Sequence, residues 1–305
     1  MSGFKVINAG IMTQVQDLGR FGFTKVGIAN SGASDVYAYN IANMLLGNPL
    51  NTNALEISFS NLTLQAQEQT VISITGANLS LHINEQLVTP WQTYKINKND
   101  ILKFRKKISG QKAYLAVAGG FKLEKELNSF STTIKEELGT VLQNGMDLEF
   151  EKQDFFKTQR LKSELIPNYD EPLVLRVVLG YQEDFFQKEQ KDKFFNTTFE
   201  VSNEASRMGT KIDGEKIVCD IDGIISEGIA FGAIQIPKDG RPIVLLKERQ
   251  TIGGYPKIGS VLSIDCFKLS QAKAGTKIVF KEISLPEAAG KLREFYSIFK
   301  QETFY

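Results

Sequence analysis

The feature that most constrains this chain is the rhythm of its turns. Gly10, Gly19, Gly22, Gly27 and Gly32 follow one another so closely that only short strands and loops fit between them. Three stretches then repeat one design, a turn followed by an alternating strand that ends in Phe. They are Asn99-Asp100-Ile101-Leu102-Lys103-Phe104, Gly145-Met146-Asp147-Leu148-Glu149-Phe150 and Gly275-Thr276-Lys277-Ile278-Val279-Phe280. Alternation behind a turn residue describes a strand with one buried face. Units of this kind suit a barrel or sandwich better than a parallel α/β sheet. The expected fold is mainly β with a few helices, in two β-rich lobes.

A chain of 305 residues has the length of about two domains. The first lobe is expected over 1–155, with a helix near 35–46. There Ser34 or Asp35 supplies a cap, Tyr37, Ile41, Met44 and Leu45 recur at helical spacing, and Gly47-Asn48-Pro49 forms a stop. Residues 156–172 read as a linker, because the polar run before Pro167-Asn168-Tyr169-Asp170-Glu171-Pro172 lacks periodicity. A β-barrel is expected over 173–285, with strands at 173–179, 199–202, 224–225, 233–236, 243–246 and 261–264 and a charged helix near 182–193. A C-terminal helix is expected over 286–305, its apolar stripe running through Ala289, Leu292, Phe295, Tyr296 and Phe299.

Composition removes several chemistries. His82 is the single histidine, so no HExxH zinc helix or multi-histidine metal site can form, and a Ser-His-Asp engine has only His82 to build on. In its strand His82 alternates with Ser80 and Asn84, which reads as a solvated face. Thirty-six Lys and Arg against 35 Asp and Glu give no broad basic footprint for nucleic acid. Cys219 and Cys266 are too few for a disulfide framework and read as reduced thiols in the cytoplasm. No apolar run reaches the ~20 residues needed to cross a bilayer, so a soluble protein with no membrane partner is expected. There is no GxxxxGK[ST] loop and no GxGxxG opening a helix. A Met-Lys-Met biotin-carrying tripeptide is also absent, so any biotin arrives on another chain.

What remains is chemistry by amides, cations and carboxylates. The densest constellation runs from Gly240 to Pro256, where an apolar strand gives way to Lys247-Glu248-Arg249-Gln250-Thr251 and then Gly253-Gly254-Tyr255. Cations beside close-approaching glycine amides suit a carboxylate, carbamate or phosphate; a hairpin with a solvated end accounts for the same residues equally well. Gln235, inside an apolar strand, is either satisfied structurally or aimed into a pocket. Arg207, before a Met-Gly turn, is a carboxylate ligand or a surface arginine. Asp17 and Arg20 form an ion pair or flank an anion site at the helix opened by Ser34 and Asp35.

Read together, these stretches resemble one family. They are Val15-Gln16-Asp17-Leu18-Gly19-Arg20, Ala42-Asn43-Met44-Leu45-Leu46-Gly47-Asn48 with Leu55-Glu56, and Tyr114-Leu115-Ala116-Val117-Ala118-Gly119-Gly120. After them come Ser129-Phe130-Ser131-Thr132, Ser206-Arg207-Met208-Gly209, Gly232-Ala233-Ile234-Gln235-Ile236-Pro237 and Gln250-Thr251-Ile252-Gly253-Gly254-Tyr255-Pro256. The pattern is similar to the biotin-dependent carboxyltransferase family, also called allophanate hydrolase subunit 2 and, in bacteria, the C subunit of 5-oxoprolinase. In the family an acidic residue precedes the Arg of the Arg-Met-Gly motif; Ser206 stands there in this chain.

The resemblance implies cyclophilin-like β-barrel architecture and a companion, the B subunit, with a related barrel. In the bacterial branch, the B and C subunits act with a third, the A subunit, to open 5-oxoproline to glutamate using ATP. A chain of single-subunit length fits that branch. In the urea amidolyase branch, a fused domain moves a carboxyl group from carboxybiotin to urea. Other members are regulatory proteins that bind a homologue of the B subunit, itself a kinase inhibitor. Both enzymatic branches need a carbonyl oxygen stabilised as charge develops on it. The resemblance assigns that work to Gly253 and Gly254 with Lys247 or Arg249. Gln235 and Tyr255 orient the amide, Asp17 and Glu56 stand as acid or base, and Arg207, Arg20, Gln250 and Thr251 contact substrate.

Overall fold

A computed structural model describes residues 2–151, 158–300 and 304. The end of the expected first lobe and the start of the expected linker, residues 152–157, lie outside the described residues, as do 301–303 and 305 of the expected C-terminal helix. The chain divides into two compact units. The first comprises Met1–Phe21, Ser31–Tyr169 and Ile298–Tyr305, and the second Gly22–Asn30 and Asp170–Ser297. The assignment of residues 22–30 to the second unit has a physical anchor: Arg249 Nη2 donates to Asn30 Oδ1 at 3.2 Å.

The first unit is built from two antiparallel sheets and a helix. One sheet orders its strands Asp147–Glu149, Gly3–Ala9, Leu62–Ala66, Ile101–Phe104, Leu81–Ile83, Gln86–Leu87. The other orders them Met12–Gln16, Ala54–Ser58, Ser109–Val117, Thr70–Asn78, Gln92–Ile96. Leu55, Ile57, Ile72, Ile74, Leu115 and Val117 of the second sheet share a core with Phe4, Val6, Leu64 and Phe104 of the first. Their neighbours Ala54, Tyr114 and Ala116 pack instead with Ala38, Tyr39, Ile41, Ala42 and Leu45 of the helix Val36–Leu45. The second sheet is therefore covered on both faces, which is why Ala54–Ser58 is buried at every position. Asp35 caps the helix, accepting from Ala38 N at 3.1 Å. Ser73 and Thr75 donate to the carbonyls of Ala42 and Ala38, at 2.6 and 2.7 Å.

The second unit is a closed barrel in the order Leu173–Leu179, Lys257–Val261, Ala233–Gln235, Ile243–Leu245, Gly209–Asp213, Thr198–Ala205, Lys277–Glu282. The last strand returns to the first in parallel; the other neighbours are antiparallel. The repeated turn-strand-Phe design serves both units. Asn99, Gly145 and Gly275 each hold a left-handed φ, of 73°, 83° and 81°. The strands that follow bury Phe104 and Phe150 in the first unit and Phe280 in the barrel, where it stacks on Phe194 with ring centroids 4.3 Å apart.

Three expectations change. Residues 261–264 are not one strand: Lys257–Val261 ends the strand, and Ser263–Leu269 is a helix burying Ile264, Cys266, Phe267 and Leu269. Strand and helix abut so closely that their apolar residues merge into a single short run. Residues 224–225 form no strand; Ile225 is 94% exposed, and the strand is its neighbour Glu227–Gly228, paired with Ile252–Gly253. The helix expected near 182–193 is a 3₁₀ turn, Glu183–Phe185, followed by the helix Lys188–Asn196. The C-terminal helix spans Leu285–Ile298.

Candidate functional site

Strand register gathers a polar cluster at one end of the barrel. Leu179 and Ile234 both lie opposite Gly259, and Gln235 lies opposite Lys257. The end of Leu173–Leu179, the end of Ala233–Gln235 and the start of Lys257–Val261 therefore meet. The short ribbon adds Glu227 opposite Gly253. Gln235 closes the circuit, since a Cβ built on Gly253 would stand 2.8 Å from Gln235 Nε2 and 2.5 Å from Ile229 Cδ1. Glycine at 253 is what lets the Gln235 amide lie against the ribbon.

Four side chains tie this end together. Lys257 pairs with Glu227, and Tyr181 donates its hydroxyl to the same carboxylate. Gln182 Nε2 donates to Glu227 Oε1 and to the Tyr181 oxygen, both at 2.9 Å, while its Oε1 accepts the Lys257 backbone N–H at 2.8 Å. A cavity of about 280 Å³ opens against Tyr181, Gln182, Glu227 and Lys257, with Gly180, Gly228 and Gly259 among its walls. Lys257, and then Tyr181, hold the Glu227 carboxyl below the usual carboxylate range, while the Glu227 carboxylate pushes the Tyr181 hydroxyl up.

The expected site residues divide among several places. Gln235 and Gly253 belong to the cluster just described. Gly254 adjoins it, its carbonyl accepting Ile224 N–H at 2.8 Å. Tyr255 is exposed, Gln250 is exposed, and the Thr251 carbonyl accepts Ile229 N–H at 3.1 Å. Lys247 lies over two rings, its Nζ 5.2 Å from the centroid of Phe231 and 5.6 Å from that of Phe267. Arg249 sits 5.9 Å from the Phe231 centroid and donates through Nε to the Ile229 carbonyl at 3.0 Å. Burial holds its guanidinium below the usual arginine value. Arg207 is buried and donates through Nε to Glu248 Oε1 at 2.5 Å. Glu248 thus supplies the carboxylate that Ser206 does not.

Asp17, Arg20 and Glu56 belong to the first unit and are enclosed there. Asp17 Oδ1 accepts from Gly19 N at 2.8 Å, Ser129 Oγ at 2.7 Å and Ser131 Oγ at 2.6 Å, and Oδ2 accepts from Phe130 N at 2.9 Å. Arg20 donates to the carbonyls of Glu126 and Ser131 and to Thr133 Oγ1, at 3.2, 2.9 and 3.2 Å. Glu56 Oε2 accepts from Ser34 N and the Tyr114 hydroxyl, at 2.8 and 2.7 Å. The Ser129-Phe130-Ser131-Thr132 and Asp17 motifs are thus two halves of one buried knot.

Tyr181, Gln182, Glu227 and Lys257 carry no sequence signal of this role. Gln182 falls at the start of the expected charged helix, and Glu227 and Lys257 fall outside every expected strand and helix. Only the barrel register sets them side by side.

A closed barrel of this order, in one chain with a unit of two sheets and a helix, is the architecture of a carboxyltransferase domain. Residues 26–282 match the carboxyltransferase domain family, subdomains A and B, and the chain belongs to that family. It is 32% identical over 304 residues to the C subunit of 5-oxoprolinase from Escherichia coli (strain K12), covering 97% of this chain and 96% of that protein. It is 29% identical over 319 residues to a putative urea carboxylase of Emericella nidulans, covering 97% of this chain and 26% of that protein. The crystal structure of the K. lactis urea amidolyase has the same fold, with a TM-score of 0.91 at 24% identity over 98% of this chain and 20% of that one. Among the described residues, no helix is long and apolar enough to cross a membrane.

Proposed function

We propose that this chain is the C subunit of a cytoplasmic, ATP-dependent 5-oxoprolinase, which opens the lactam of 5-oxoproline to glutamate together with its A and B subunits. The observation that carries the reading is the similarity to the 5-oxoprolinase C subunit, which runs through 96% of that protein at 32% identity. The barrel-end cavity agrees with it in kind. It is small, and the Gln182 amide and Lys257 ammonium in its wall are groups that orient an amide and hold its carbonyl oxygen, with Gln235 opposite Lys257 in the strand register.

The cavity does not fit a triphosphate. Its one lysine is already paired with Glu227, and that carboxylate would repel the phosphates. No step through ATP is therefore assigned to these residues, and nucleotide handling falls to the partner subunits. A second reading, carboxyl transfer from carboxybiotin to a urea-like amide, is favoured by the similarity to a urea carboxylase, with biotin brought by another chain. Its substrate presents the same amide edge to the same cavity.

The test is co-expression with the A and B subunits, followed by measurement of glutamate released from 5-oxoproline with and without ATP. ATP-dependent release is expected, with Gln235→Ala lowering it. A soluble, assembled complex that releases no glutamate removes the 5-oxoprolinase reading.

A further inference from the structure

We infer that the barrel-end cavity binds the edge of a cis amide, such as a lactam or cyclic urea, with Lys257 donating to its C=O and Glu227 accepting from its N–H. This deepens the reading above by naming the residues and the geometry that select the substrate, and it rests on that reading for the choice of a small amide.

Lys257 supplies the first reason. The residue is only 9% exposed and lines the cavity. Its Nζ meets the Glu227 carboxylate and, among the described residues, no other partner. An ammonium carries three N–H donors, so this buried group in the cavity wall keeps donors unspent, an expensive condition unless a ligand completes it.

Glu227 supplies the second. Its two oxygens offer about four acceptor sites. Gln182 and Lys257 meet Oε1 and Tyr181 donates to Oε2, so one acceptor site on Oε2 is left for a ligand. Gln182 is itself fixed by the Lys257 backbone, so the carboxylate is held in place rather than free to turn.

Donor and acceptor thus stand side by side with no net charge between them. A free anion meets the Glu227 carboxylate, and a cation meets the Lys257 ammonium, so a neutral polar group is favoured. An amide presents C=O and N–H along one edge only when it is cis; in the trans form they point to opposite sides. Small rings enforce the cis form. The volume of about 280 Å³ suits a ligand of one small ring, and Gly180, Gly228 and Gly259 leave part of the wall without side chains.

The test is titration of the full chain, followed by amide-resolved NMR, with 2-pyrrolidinone, 2-imidazolidinone and, as the trans control, N-methylacetamide. The two rings are expected to give saturable shifts at residues around Gly180, Glu227 and Lys257, with N-methylacetamide at least roughly tenfold weaker. Lys257→Met should weaken 2-pyrrolidinone by at least roughly tenfold, the loss of a hydrogen bond to a charged group. Should that variant fail to fold, Glu227→Gln, at a partly exposed side chain, carries the same expectation. Equal binding of N-methylacetamide, absence of saturable 2-pyrrolidinone binding, or unchanged binding in the folded variants overturns the inference. Wild-type glutamate release by an assembled complex carrying Lys257→Met removes this site and keeps the 5-oxoprolinase reading. Selective lactam binding by a chain whose assembled complex is inactive does the reverse.

Discussion

Arg207 and Glu248 form a nearly buried ion pair, Nε to Oε1 at 2.5 Å, at the joint where the Arg-Met-Gly turn meets the end of the Ile243–Leu245 strand. The backbone doubles the joint: Glu248 N donates to Arg207 O at 2.8 Å, and Leu246 N to Met208 O at 2.9 Å. Removing one partner leaves the other charge buried. Glu248→Ala is therefore expected to cost about 3–5 kcal/mol, read from urea denaturation midpoints. The double replacement Arg207→Met with Glu248→Leu should cost less than the sum of the singles. Additive losses would show that the two side chains do not depend on each other.

Asp17 accepts four hydrogen bonds from Gly19, Ser129, Phe130 and Ser131. Asp17→Asn turns one of those acceptors into a donor facing another donor. The expected loss is about 2–4 kcal/mol, seen as a lowered melting temperature. A variant that melts with the wild type would leave Asp17 free for chemistry.

At Gly253, the side chain closest to an added methyl is the far end of Gln235 and of Ile229. Both are flexible, so Gly253→Ala should fold with a stability change within about 1 kcal/mol while pushing the Gln235 amide aside. The expected result is a fall in turnover of the assembled complex of about tenfold or more, since misplacing an orienting group is costly. Equal activity of Gly253→Ala and wild type would detach Gln235 from the reaction.

Glu227 links stability to acid. Its folded pKa is depressed by Lys257 and then Tyr181, so its stabilising contribution is present above the ordinary carboxylate value of about 4.3. It is lost as pH falls through the lower folded value. Glu227→Gln should lower the unfolding midpoint slightly at neutral pH, and the two curves should converge in acid. The effect is small because the carboxylate meets solvent. A difference that does not shrink as pH falls below the ordinary carboxylate value would mean the charge is not its source.

Thiol reactivity separates the two cysteines. Cys266 is fully buried, and burial pushes its thiol well up; Cys219 is partly exposed, and burial raises it less. In the native protein a disulfide reagent should label Cys219 slowly and Cys266 only after unfolding. Labelling followed by peptide mapping decides it.

Much of the fold was legible in local chemistry. Turn residues that need a left-handed φ, followed by alternation ending in Phe, announced strands at Ile101–Phe104, Asp147–Glu149 and Lys277–Glu282. Asp35 and the apolar spacing after it announced the helix Val36–Leu45. Where strand and helix abut, as at Val261 and Ser263, periodicity had too few residues to change visibly. The double burial of Ala54–Ser58 was also hidden, because it depends on a helix and a sheet remote in sequence.

The candidate site divides along the same line. Local chemistry is enough for the β class and the turn positions, because each follows from backbone preference or residue type within a few neighbours. Tertiary structure alone decided that Glu248 takes the place of an acid before Arg207 and that Asp17 is spent on a buried knot. It alone also set Glu227 and Lys257 beside Gln182. Those relationships join residues far apart in the chain. The register of a closed barrel or a buried sheet, rather than any local pattern, brings such residues within a hydrogen bond of each other.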